Sequence, residues 1–139
     1  METNENVPGY ESRKDLLFVG GLTDAHGPNV NAVELFLKEL WPKISAQLPD
    51  FKMTIVGTNP CKRTIADAYK TAQLFGRVED LQPLYNHARV VICPLRFGAG
   101  IPLKLAEAMA HEVPNVISIA AAHGFGIEDG SVVTIAGNF

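Results

Sequence analysis

The stretch that decides the fold comprises residues 90–110, with the sequence VVICPLRFGAGIPLKLAEAMA. It begins with a short continuous apolar run, which is typical of a strand buried on both faces of a parallel sheet. A glycine-rich turn follows, and Pro102 then suits the first turn of a helix, because the N–H that proline lacks would be unpaired there anyway. The stretch therefore predicts a strand, a tight turn and a helix over residues 102–111.

The same alternation extends in both directions along the chain. Short apolar runs predict strands over residues 16–19, 53–56, 73–75, 90–93, 115–119 and 132–135. Helices are predicted over residues 29–47, 64–69, 79–87 and 102–111, with a kink or a restart at Pro42. Strands that alternate with helices imply right-handed βαβ crossovers. The fold class is therefore α/β, a Rossmann-like parallel sheet of about six strands with helices on both faces.

Length and composition narrow the possible functions. The 139 residues have room for one domain, and 47% hydrophobic with 19% charged residues is ordinary for a globular protein. We expect residues 1–14 to be a polar tail or linker and residues 15–139 to form the domain. A net charge of −3 gives no general attraction to nucleic acid. No transmembrane segment or signal peptide is recognisable, and two cysteines suit a reducing compartment, so we expect a cytoplasmic location.

Glycines cluster where the predicted strands end. They are Gly20 and Gly21, Gly57, Gly76, and Gly98 with Gly100. In open α/β sheets ligands bind beyond the carboxyl ends of the strands, where glycine permits close approach of the backbone to a ligand. The fingerprints G-x-G-x-x-G and G-x-x-x-x-G-K-[ST] are absent, so the sequence lacks the ordinary dinucleotide and P-loop motifs. The glycines indicate an anion site at this edge, with simple tight turns as the alternative.

The helix over residues 102–111 carries the most specific candidates. The amides of Gly100 and Ile101 precede its first turn, where a diphosphate is favoured by the helix dipole. Lys104 adds a positive charge, and Arg96, in the loop before the helix, is able to reach a phosphate or a sugar. Glu107 lies on the same face as Lys104 and can accept hydrogen bonds from the two hydroxyls of a ribose. The alternative is that Lys104 and Glu107 form an ion pair on an exposed helix surface.

Together with residues 17–21, 28–32, 75–78 and 80–85, this helix resembles the C-terminal domain of retaining glycosyltransferases of the GT-B fold, glycosyltransferase group 1 or family GT4. The resemblance implies that the domain binds a nucleotide diphosphate sugar, from which the full enzyme transfers the sugar to an acceptor. It also implies an N-terminal acceptor-binding domain that is missing here, so we expect the isolated fragment to be inactive. If the rest of the enzyme attaches to a membrane, the domain would lie at the inner face of that membrane, which is the second location that the resemblance implies.

The resemblance also implies roles for particular positions. Gly20 and Gly21 lie against the phosphates, and the backbone at Arg77 and Val78 holds the base. The donor phosphates and sugar contact Gly98, Ala99, Gly100 and Ile101, and Glu107 takes the ribose hydroxyls. The candidate catalytic residues are Arg96 and Lys104, which stabilise the departing diphosphate. We expect no metal and no cofactor, since no Asp-x-Asp motif is present.

Several positions depart from the family pattern. Ala99 stands where many relatives have the first glutamate of an E-x7-E arrangement, and Glu112 stands where glycine is common, which predicts a changed helix end. The basic pair that follows the first strand in many relatives is absent, and His26 is either its substitute or an exposed loop residue. Two other functions therefore stay open. One is a nucleotide-sugar epimerase of the same fold, and the other is a non-catalytic module that binds a nucleotide or a protein.

Overall fold

The structure is a computed structural model of the chain; it describes residues 9–58, 72–97, 103–118, 122 and 133–136, and for 103–105 and 133–136 it describes the backbone alone. Six strands form one sheet in the order β3-β2-β1-β4-β5-β6. Every neighbouring pair is parallel. The strands are Asp15–Val19 (β1), Lys52–Val56 (β2), Gln73–Phe75 (β3), Ala88–Cys93 (β4), Asn115–Ser118 (β5) and Val133–Ala136 (β6). The predicted fold class is confirmed, and the strand ends differ from the prediction by at most two residues.

The long helix predicted over residues 29–47 is interrupted. It consists of Pro28–Leu35 (α1), a π-helical segment Phe36–Leu40 and Trp41–Gln47 (α2). Pro42 lies in the first turn of α2. Proline has no N–H and its ring clashes with the carbonyl four residues earlier in a regular helix, so the wider π-helical turn before it removes the conflict. The predicted restart at Pro42 is confirmed.

Two further helices follow, Gln82–His87 (α3) and Leu103–Ala110 (α4). The predicted start of α3 at Glu79 is wrong by three residues. The Asp80 carboxylate accepts a hydrogen bond from the Gln82 N–H at 3.0 Å, and this turn precedes the helix instead of belonging to it. The helix predicted over residues 64–69 lies outside the described residues.

The sheet has a buried core on each face because its strands alternate between the two sides. On one face, Leu16, Phe18 and Ile55 pack with Val33 and Trp41 from the helical run 28–47. On the other face, a second core contains the following strand and helix residues: Leu17, Val56, Val91, Tyr85, Ala108 and Val113. Burial of each large apolar side chain contributes roughly 1.5–3 kcal/mol, so these two layers fix the helices against the sheet.

Helix α4 ends in a Schellman motif. The Val113 N–H donates to the Ala108 carbonyl at 3.2 Å and the Glu112 N–H donates to the Met109 carbonyl at 3.0 Å. Glu112 has φ 59°, the left-handed conformation that favours glycine. The helix end therefore keeps the backbone shape that suits glycine, while a glutamate occupies the position at a cost of roughly 1 kcal/mol.

Candidate functional site

A cleft of about 500 Å³ opens at the carboxyl ends of β1 and β2 and reaches α4. Its lining residues are Val19, Gly20, Gly21, Val56, Gly57, Thr58, Arg77, Val78, Glu79, Leu81 and Glu107. The sheet order changes direction between β1 and β4, because the chain proceeds from β1 to β2 on one side and from β4 to β5 on the other. Ligands of open α/β sheets bind at such a switch point. The cleft therefore lies where the fold itself favours a ligand.

The glycines at the end of β1 and β2 allow two loops to lie against each other. A Cβ atom on Gly57 would lie 1.9 Å from the Gly20 carbonyl oxygen, so no side chain fits at position 57. The Gly20 N–H donates to the Val56 carbonyl at 2.9 Å, and this bond continues the contact beyond the strands. Gly21 is different, because the nearest atom to a Cβ there is the Thr58 Oγ1 at 3.7 Å. Gly57 brings the backbones together, and Gly21 leaves the cleft open.

The start of α1 holds the first glycine loop in place. The Asn29 side chain donates from Nδ2 to the Gly21 carbonyl at 3.1 Å. Upstream, the His26 N–H donates to the Asp24 carboxylate at 3.0 Å, which orders the turn that leads into the helix. The His26 side chain itself is exposed and is not among the residues that line the cleft. Of the two alternatives for His26, its position therefore favours an exposed loop residue over a residue that contacts a phosphate.

Charged side chains from two separate elements line the cleft. Among the described lining residues they are Arg77, Glu79 and Glu107. Arg77 and Glu79 are exposed, whereas Glu107 is half-buried on α4. The loop after β3 thus supplies one cation and one anion, and α4 supplies a second carboxylate. This arrangement can contact a ligand that has both anionic and hydroxyl groups.

Behind Glu107 lies a pair of rings. Tyr85 of α3 is completely buried. Its ring stacks on His111, with centroids 4.7 Å apart and an interplanar angle of 19°. Burial raises the pKa of Tyr85, and the nearby negative charge of Glu107 raises this pKa further. The phenol therefore stays protonated, and its hydroxyl keeps a proton to donate.

The structure brings together some of the predicted site residues and leaves others apart. The cleft contains Gly20, Gly21, Arg77, Val78 and Glu107. Arg96 is exposed in the loop after β4 and is not among the lining residues. Lys104 lies in α4, but its side chain is outside the description. The predicted loop residues Gly98, Ala99, Gly100 and Ile101 lie outside the described residues.

Sequence reasoning missed several lining residues. Thr58, Glu79 and Leu81 were not predicted as site residues, and Gly57 was recognised only as a glycine after a strand. The available signal was their position, since each follows β2 or β3 at the carboxyl edge of the sheet. Polar residues in such loops have no periodicity that distinguishes a lining side chain from a solvent-facing one.

Other types of site receive no support from the described residues. No group of three or more His, Cys, Asp and Glu side chains among them is arranged to hold a metal ion. Burial raises the pKa of the Cys93 thiol to about 11, so this cysteine is a poor nucleophile at neutral pH. Within the described segments, no helix has both the length and the apolar character required to cross a membrane.

The strand order and the cleft at its switch point define the class, a Rossmann-like α/β domain. Residues 13–137 match the sequence model of the family described as glycosyl transferases group 1. The chain belongs to this family. It is 29% identical to an uncharacterised 44.6 kDa protein in the cps region of Klebsiella pneumoniae, with 88% of this chain and 33% of that protein covered.

Solved structures of glycosyltransferases share the fold. WaaG, a glycosyltransferase involved in lipopolysaccharide biosynthesis, matches with a TM-score of 0.67 at 20% identity, over 91% of this chain and 34% of WaaG. The pneumococcal O-GlcNAc transferase GtfA, in complex with UDP and GlcNAc, matches with a TM-score of 0.62 at 21% identity, over 93% of this chain and 26% of GtfA. The predicted resemblance to GT-B glycosyltransferases is confirmed, and this chain spans between a quarter and a third of these proteins.

Proposed function

We propose that the chain is the donor-binding domain of a retaining glycosyltransferase and that it holds a nucleotide diphosphate sugar in the cleft. The observation that carries the proposal is the convergence of Gly20, Gly21, Arg77, Val78 and Glu107 on one cleft, from three separate parts of the sequence. A volume of about 500 Å³ is in the range of small-molecule sites. The complex of GtfA with UDP and GlcNAc supports the same class of ligand.

The walls of the cleft suit different parts of such a donor. The loop at Gly20 and Gly21 has no side chains, so a diphosphate can approach its backbone closely. The segment at Arg77 and Val78 offers backbone groups and one cation to the base. Glu107 on α4 accepts hydrogen bonds from the ribose hydroxyls, because an ionised carboxylate is an acceptor and the hydroxyls are donors. The proposed orientation thus runs from the base near β3 to the diphosphate near β1.

The proposed reaction breaks the bond between the anomeric carbon and the diphosphate and forms a bond from that carbon to an acceptor hydroxyl, whose proton is released. Negative charge develops on the departing diphosphate. The amides at the start of α4, Lys104 and Arg96 are proposed to stabilise that charge. The acceptor is proposed to bind to a second domain, because the chain spans only 34% of WaaG. We therefore expect this domain alone to bind the donor without transferring its sugar.

The test is isothermal titration calorimetry with uridine, guanosine and adenosine diphosphates. We expect one of them to bind, and we expect Glu107→Ala to weaken that binding about tenfold or more, because hydrogen bonds to a charged group are lost. Glu34→Ala is the matched control, since Glu34 is exposed on α1 and away from the cleft. We expect a chelator to leave the affinity unchanged.

Equal affinities of Glu107→Ala and the unaltered protein would remove Glu107 from the ribose role. Binding of none of the three nucleotides would favour the non-catalytic module instead. An affinity that disappears with the chelator would show that a metal bridges the ligand and the domain.

A further inference from the structure

The hydroxyl of Tyr85 is a buried polar group that the packing does not explain. The residue is completely buried in the core between the sheet, α3 and α4. Its hydroxyl has no hydrogen-bond partner among the described residues. A buried hydroxyl without a partner destabilises the folded state, and phenylalanine would fill the same space without that cost. Packing of the core therefore gives no reason for a hydroxyl at this position, which indicates that the group has another role.

Glu107 is a charged residue of the cleft, and it belongs to the helix whose end packs on the phenol ring, since Tyr85 stacks on His111 one turn after Glu107. Its negative charge acts on the phenol strongly enough to raise the pKa of Tyr85, in the same direction as burial. A protonated phenol on α3 and a carboxylate of α4 that lines the cleft are thus held by helices that pack together in the second core. The phenol is a neutral donor and the carboxylate is a charged acceptor. A hydrogen bond between such groups is charge-assisted and therefore stronger than one between two neutral groups.

His111 fixes the plane of the phenol ring. It follows Glu107 by one helical turn, and its backbone N–H donates to the Glu107 backbone carbonyl at 3.2 Å. Its imidazole stacks on Tyr85 with centroids 4.7 Å apart. One face of α4 therefore presents both the carboxylate and the ring that holds the phenol in place, so the direction of the hydroxyl is set by packing.

We propose that Tyr85 is a positioning residue for Glu107, whose hydroxyl donates a hydrogen bond to the carboxylate when the ribose of the ligand engages it. The inference rests on the proposed function of the cleft. A carboxylate has about four lone-pair sites, so it accepts from two ribose hydroxyls on the cleft side and from one phenol on the core side. The phenol then holds the carboxylate in the orientation that both ribose hydroxyls require.

Tyr85→Phe tests this role because it removes one oxygen and keeps the ring. The probes are uridine, guanosine and adenosine diphosphates, each with its 2′,3′-dideoxy analogue, measured by calorimetry. We expect Tyr85→Phe to weaken binding of the ribose form about fivefold to tenfold and to leave binding of the dideoxy form unchanged. The melting temperature should stay the same or rise, since an unpartnered buried hydroxyl is removed. Tyr10→Phe, at an exposed tyrosine, is the matched control and should change neither affinity.

A double variant separates this role from a structural one. Because Tyr85 acts through Glu107, Glu107→Ala with Tyr85→Phe should bind the ribose form no more weakly than Glu107→Ala alone. Equal weakening of the ribose and dideoxy forms by Tyr85→Phe, or no weakening at all, would overturn the inference and leave the proposed function intact. If Glu107→Ala keeps the full preference for ribose, the proposed role of Glu107 fails first, and the inference fails with it.

Discussion

Among the described residues, the domain has two cavities of comparable size, one with a mixed polar and apolar lining and one that is almost entirely apolar. The cleft, of about 500 Å³, lies beyond the carboxyl ends of β1 and β2, and its lining combines glycines, Thr58 and three charged residues with three valines and a leucine. The second cavity, here called the apolar groove, has about 360 Å³. It lies on the sheet face that α1 and α2 flank, and it is lined by Leu16, Phe36, Leu40, Ile44, Leu48, Phe51, Val90, Ile92, Pro94, Val116, Ile117 and Ser118.

The cleft differs from the apolar groove in the polarity of its lining more than in its volume, so polarity is what marks it as the candidate site. Ser118 is the polar residue that lines the apolar groove, and its hydroxyl already donates to the Leu95 carbonyl. A phosphate in the groove would lose its hydration without gaining a donor from these side chains. The cleft arises from loops that follow strands, where backbone groups remain for a ligand, whereas the groove arises from side chains that point away from the sheet.

The largest effect is expected where the two loops of the cleft touch. Gly57→Ala would place a methyl group 1.9 Å from the Gly20 carbonyl oxygen, so the loops must separate. We expect a loss of about 2–3 kcal/mol in the free energy of unfolding, measured by urea denaturation, and a loss of nucleotide affinity. Gly76→Ala is the control, because no atom lies within 4 Å of a Cβ there. Similar losses for both variants would contradict the steric role of Gly57.

A substitution in the apolar groove should separate stability from binding. Leu40 is half-buried in its wall, and Leu40→Ala removes apolar contacts with the core. We expect the free energy of unfolding to fall by about 1–2 kcal/mol, and the affinity for a nucleoside diphosphate to stay within about twofold. A larger change in affinity would show that the two cavities are coupled, and the contrast between them would then be wrong.

The end of α4 offers a stabilising change away from both cavities, since Glu112 lines neither of them. Glu112→Gly removes the strain of a side chain at φ 59°. We expect the free energy of unfolding to rise by about 1 kcal/mol in a denaturation experiment. Glu34→Gly is the matched control within the helical run 28–47, where glycine should lower stability by about 1 kcal/mol. Destabilisation by Glu112→Gly would mean that the glutamate side chain contributes more than its backbone conformation costs.

The smallest effect is expected at the edge of the sheet opposite to the cleft. Burial raises the pKa of Asp15 above its ordinary value of 3.8, and Lys52 and His87 oppose this rise. The folded protein therefore binds this proton more tightly than the unfolded chain. This tighter binding stabilises the folded protein at pH values below the ordinary pKa of Asp15. The stabilisation is lost as the pH rises through the pKa that Asp15 has in the folded protein.

Asp15→Asn removes the half-buried charge that forms as the pH rises. We expect a higher melting temperature than that of the unaltered protein near neutral pH, and we expect the gain to disappear as the pH falls below 3.8. A gain of the same size at both pH values would point to a packing effect instead of a titration. A loss near neutral pH would show that the charges of Lys52 and His87 outweigh burial.

Most of the fold was predictable because apolar runs followed by glycine appear at each strand from β1 to β3. The functions of the individual glycines were not predictable. Gly57 and Gly76 look alike in the sequence, yet only Gly57 faces a backbone atom at short distance. The reason is the register of Val19 with Val56, which places the residue after β2 beside the residue after β1. Such pairing depends on sheet order and register, which no local pattern specifies.

The candidate site was partly predictable for a related reason. Glu107 was identified from its helix position, and the cleft contains it. Tyr85 entered only within residues 80–85 of the family resemblance, and no role was predicted for it. Its relation to Glu107 requires α3 and α4 to pack on the same face of the sheet, which the second core shows. Contacts between distant elements were thus the part that sequence reasoning left out.

The most direct test of ligand binding in the cleft is a two-dimensional NMR titration of the backbone amides with the nucleoside diphosphate that calorimetry selects. The cleft should respond, with shifts concentrated at Gly20, Gly21, Gly57, Thr58 and Val78, while the amides of Leu40, Ile44 and Val116 in the apolar groove stay in place. Shifts centred on the groove, or no saturable shifts at the glycine loops, would contradict a nucleotide site at the strand ends.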